Sequence, residues 1–143
     1  MDNTTNDLYD ISTQLYQLKK QLINQSKIAD IALTGAKKKK NLKIYELNQF
    51  YTNYRNDQFI KDCYISLINP FNHFIKTNIN KQTIYDVELI DKILLHLSLI
   101  IETHKNALLN ANDHISDDNY DLVKSFNIDK IIKIYNALNN RLI

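Results

Sequence analysis

One glycine and one proline in 143 residues leave this chain little material for tight turns. Strand-rich and doubly wound folds reverse direction often. Their turns draw on glycine for positive φ and on proline for a preset φ. Gly35 and Pro70 alone do not punctuate a sheet, so the expectation is an all-α protein. With 44% hydrophobic and 24% charged residues, a chain of this length buries about two-thirds of its unfolded surface without disulfides or metals. No Pro/Ser/Gly-rich linker and no internal repeat divides it, and one domain over 1–143 is expected. The abundance of Asn, Ile, Lys and Tyr matches an AT-rich coding genome and carries no chemistry.

Hydrophobic periodicity supplies the helices. Leu8, Ile11, Leu15, Leu18 and Leu22 recur at spacings of three and four, and Ala29 and Ala32 continue the seam. Gly35 is expected to end that first helix, because it tolerates a left-handed C-cap. After a basic run, Ile44, Leu47, Tyr51 and Tyr54 share one face. Asn56-Asp57 reads as a break. A third face runs from Phe59 to Ile68 and restarts at Asn69-Pro70, where proline suits a first helical position. Thr83 reads as the cap of the next helix, with Asp86 early in it. That helix runs to about Leu109 and is apolar on nearly every side, which places it at the centre of the fold. Asp113 to Asp118 reads as an acidic loop with Ser116 as a cap. Two short helices follow, separated near Asn127. The reading is an irregular bundle of about five to seven helices around a central apolar helix near 84–109.

No pattern carries catalysis. A single glycine cannot build a phosphate-cradling loop. His73, His96, His104 and His114 are scattered, without H-E-x-x-H or paired cysteines, so no metal site is expected. His96 and His104 are expected to be core or boundary histidines with hydrogen bonds, and Cys63 a packed thiol. Asp113 to Asp121 lacks the glycine of a calcium loop. The chain is therefore expected not to be an enzyme and to use no cofactor.

The candidate binding patch is Lys37, Lys38, Lys39, Lys40 and Lys43 followed by Tyr51, Tyr54 and Arg55. Clustered cations attract phosphates and aromatic rings stack on bases. A net charge of +2 with two arginines is meagre for a nucleic-acid module. Solvated lysines beside tyrosines that face the core form the plainer alternative. The functional expectation is a non-enzymatic helical protein–protein interaction module, such as an adaptor, inhibitor or complex subunit. The alternatives are nucleic-acid or anionic-surface binding through Lys37 to Lys43, and an apolar small-molecule sensor. A homo-oligomer also fits, since the first two helices can extend to meet another copy. Val87 to Ile101, the most apolar window, is interrupted by Glu88, Asp91, Lys92 and His96, so no membrane span is expected. The lone cysteine and the polar N-terminus suggest a reducing, cytoplasmic setting.

Overall fold

The computed structural model describes residues 4–39, 41–79, 86–110 and 117–141. Of these, 93% are helical and none is in a strand. The helices are α1 (Thr4–Lys38), α2 (Ile44–Asn78), α3 (Val87–Asn110), α4 (Asp117–Ser125) and α5 (Asp129–Arg141).

Helix α1 buries Leu8, Ile11, Leu15, Leu18 and Leu22, as its spacing predicts. The seam then departs from the sequence reading: Ala32 is exposed, while Leu33 and Ala36 are buried. A heptad pattern drifts by about 20° per repeat on a straight helix, so by Ala32 the seam has turned through about 70°. Gly35 does not end α1, which continues to Lys38. No glycine has positive φ, and a Cβ at Gly35 would meet nothing within 4 Å. Burial of Leu33 and Ala36 on either side carries the helix past it.

Seven apolar-faced stretches in the sequence become five helices because α2 absorbs two expected breaks. Asn56-Asp57 lies inside α2, with Asp57 buried, and so does Pro70. An interior proline costs about 3 kcal/mol. Ile68 and Phe71 beside it are fully buried, and such side chains gain about 1.5–3 kcal/mol each. The core therefore holds the helix through the proline. Asp86 caps α3, its Oδ1 accepting from the N–H groups of Glu88 at 2.9 Å and Leu89 at 3.4 Å. The caps expected at Thr83 and Ser116 lie outside the described residues.

Helix α3 is not surrounded. It buries Ile90, Ile93, Leu94, Leu97 and Ile100, while Leu95 is 61% and Leu99 41% exposed. The reason is geometric, since a four-cornered bundle has no central helix and every corner keeps an outer side. Partners along α1 and α2 run in opposite directions. Tyr9 donates to the Ile79 carbonyl at 2.6 Å, Ser12 to Asn72 at 2.8 Å, and Gln58 to Ser26 at 2.6 Å. Helix α3 packs on α2, while α4 and α5 each touch α1 and α3 and share the fourth corner in succession. At their joint, where a break is expected near Asn127, that residue's Oδ1 accepts the Asp129 N–H at 2.9 Å. Lys130 pairs with Asp10 at 3.1 Å and Arg141 donates to Thr4 at 3.2 Å, so α5 runs antiparallel to α1. One hydrophobic cluster joins all five helices.

The corners are unequal in length. Helices α1 and α2 have 35 residues each and α3 has 24. At 1.5 Å per residue the first two outrun the third by about 16 Å. Asp118, near the start of α4, lies at the level of Gln25 and Ile28. Among the described residues, 28–38 and 44–57 thus form a two-helix arm beyond the four-cornered body, which α4 meets at Asp118.

Candidate functional site

The arm holds a groove. Gln25, Ile28, Ala29 and Ala32 of α1 face Phe50, Asn53, Tyr54 and Asp57 of α2, and Asp118 closes the inner end. Each set repeats at three and four residues, which places it on one helical face. The space between them is about 200 Å³. In the arm the inward positions of α1 pass to Leu33 and Ala36. Ala29 and Ala32 face the groove, and their short side chains leave its space unfilled. Ile28 is 48% exposed and Phe50 36% at its edges, and nearby Ile31 is 73% exposed.

Charge divides along this groove. Exposed Asp118 stands at the inner end, beside the buried Asp57. Lys39 lines a shallow depression at the hairpin tip with Asn41, Leu42 and Glu46. Lys39 directly follows α1 and Lys43 directly precedes α2, so both stand at the tip beyond the groove's outer end. The groove thus has an exposed carboxylate, Asp118, at its inner end and opens outward onto a tip where four exposed lysines outnumber Glu46.

The structure divides the basic and aromatic patch read from the sequence. Lys37, Lys38, Lys39 and Lys43 are exposed and gather at the tip, and Lys40 lies outside the described residues. Lys37 and Lys38 occupy the last turn of α1, where cations complement the helix dipole. Lys37 Nζ sits 5.4 Å from the centre of the Tyr51 ring, a favourable contact with the ring face. Tyr54 lies in the groove and donates its hydroxyl to Asp30. That hydrogen bond, then burial and the Asp30 charge, hold its pKa above the ordinary value. Arg55 is exposed on α2. Tyr51 and Tyr54 are half-buried between the arm helices, each already engaged.

Sequence reasoning missed the groove itself. Its signals were present: alanines replacing leucines in the α1 seam, and more helix in α1 and α2 than α3 can cover. It also missed Tyr64 as the partner of His104. The Tyr64 hydroxyl lies 2.8 Å from His104 Nδ1, both residues are buried, and Phe126 packs edge-on against the imidazole at 5.6 Å. Burial lowers the His104 pKa and raises that of Tyr64 far above the ordinary tyrosine value, so the pair is neutral. His96 packs on Phe74 at 5.3 Å and Phe71 at 6.0 Å, and burial lowers its pKa too. The half-buried Cys63 thiol is pushed up by burial and by the Asp62 charge, which disfavours the nucleophilic thiolate. Among the described residues no three His, Cys, Asp or Glu side chains converge to hold a metal.

No known protein family, curated protein or solved structure matches the chain. Among the described residues, no helix is long and apolar enough to cross a membrane.

Proposed function

We propose that the chain is a non-enzymatic helical interaction module, an adaptor, inhibitor or complex subunit, which receives a partner helix in the groove between the outer halves of α1 and α2. The carrying observation is the contrast along these two helices. Their inner halves bury a leucine and isoleucine stripe under α3 to α5. Their outer halves leave an alanine-floored groove edged by Ile28 and Phe50. An amphipathic helix laid there would supply the missing corner of the bundle.

A photo-crosslinking amino acid at Ala32, compared with one at exposed Gln17 on the body of α1, tests this. Crosslinks to protein should concentrate at position 32 and disappear from it when Asn53→Asp and Phe50→Asp are added. Equal labelling at both positions would overturn the reading.

The tip supports a second reading, binding of nucleic acid or an anionic surface. Lys37, Lys38, Lys39 and Lys43 are exposed there, and Tyr45 beside them is 70% exposed. Affinity for single-stranded DNA should then fall steeply with salt, with a slope set by about three or four phosphate contacts. The engagement of Tyr51 and Tyr54 favours the first reading. An apolar small-molecule sensor has less support, because among the described residues the groove is a half-open cleft and not an enclosed cavity.

A further inference from the structure

We infer that the occupant of the groove is a second copy of the chain, its arm laid antiparallel across the first. This rests on the docking reading above and adds the identity of the partner.

The argument is one of charge and symmetry. A pair of identical surfaces facing each other is related by a two-fold axis lying in the plane between them. If that axis runs along the arm, tip meets tip and Lys39 and Lys43 face their own copies. If it runs across the arm, the tip of each copy meets the inner end of the other. Lys39 and Lys43 then approach Asp118, and the reverse contact forms at the opposite end. The acidic-to-basic gradient along the groove is self-complementary only in this second arrangement, and like-charge repulsion disfavours the first.

Shape agrees with charge. Ala29 and Ala32 let a facing helix approach closely, and Ile28 and Phe50 are exposed where its side chains would meet them. Two arms packed face to face make a short four-helix bundle, so each arm gains the corners that α3, α4 and α5 give the body. An arm of about 20 Å by 20 Å buries on the order of 1,000 Å² in total, at the lower edge of specific interfaces. A reversible dimer, weakened by salt, is therefore expected.

Sedimentation equilibrium of the full chain with charge-reversed variants tests the inference. In Lys39→Glu/Lys43→Glu both copies present glutamate to Asp118, and in Asp118→Lys both present lysine to Lys39 and Lys43. All three positions are exposed, so the changes spare the core. Each variant alone should self-associate about tenfold more weakly than the unaltered chain, and an equimolar mixture should pair to within about threefold of it, because both contacts become attractive again. Circular dichroism of each variant should match the unaltered chain, and recovery in the mixture requires that both are folded. An unaltered chain that stays monomeric at about 100 μM in low salt, or a mixture that pairs no better than its components, would overturn the second copy as occupant. Crosslinks from position 32 to a different protein would then leave the docking reading standing, whereas no crosslinks there would remove that as well.

Discussion

Tyr64 and His104 meet where neither has appreciable access to water, so each depends on the other for its polar atom. Tyr64→Phe keeps the ring and removes the hydroxyl, leaving His104 without that partner. The expected loss is about 1–3 kcal/mol, measured by urea unfolding. The histidines also make stability depend on pH. Burial holds both His96 and His104 below their ordinary pKa, so between the folded and unfolded values the unfolded chain binds more protons. Their contribution is complete above about pH 6.5 and is lost as pH falls from there through the folded values. Melting temperature should therefore decline on acidification below that point, and His104→Gln should flatten the decline. An unchanged slope in the variant would assign the effect elsewhere. The sequence indicated that these histidines belong to the core or its boundary. It could not name Tyr64, because a contact across 40 residues is set by how α2 and α3 pack and not by spacing on either.

Helix ends illustrate how local signals yield to burial. Asp86 behaves as a short polar residue before an apolar run should, accepting two N–H groups at the start of α3. Gly35 and Pro70 do not behave as stops, because each is flanked by residues the fold buries. Gly35 sits in regular helix with open space where a methyl would stand. Gly35→Ala should therefore stabilise the chain by about 0.5–1 kcal/mol, read from the shift in urea midpoint at unchanged slope. A destabilised variant would mean that the glycine is needed for backbone freedom. The alanine seam of α1 was legible, but its placement was not. Heptad counting put Ala32 inside, whereas the straight helix turns Leu33 inward and leaves Ala32 facing the groove.

Across the whole molecule, two regions of different cohesion share the same two helices. The body packs four corners around Leu15, Phe71, Ile93 and Leu138, while the arm, among the described residues, pairs α1 with α2 and meets α4 at Asp118. Fewer buried apolar contacts mean a lower free energy of local opening. In dilute protein, backbone amides at 28–38 and 44–57 should exchange hydrogen faster than those at 8–22 and 64–75. Equal protection would indicate that the arm is already covered. The chain's own residues determined the helical class, the inward face of α1 up to Leu22 and the core or boundary setting of His96 and His104. The scarcity of turn-formers and the periodicity of leucine and isoleucine act within a few residues of each position. Only tertiary packing decided that α2 runs through its proline, that α3 keeps an exposed side, and that α1 and α2 extend beyond the other helices to form a groove. Those outcomes depend on which surfaces meet across dozens of residues, and the free energy of burial there exceeds the local preferences that sequence spacing records.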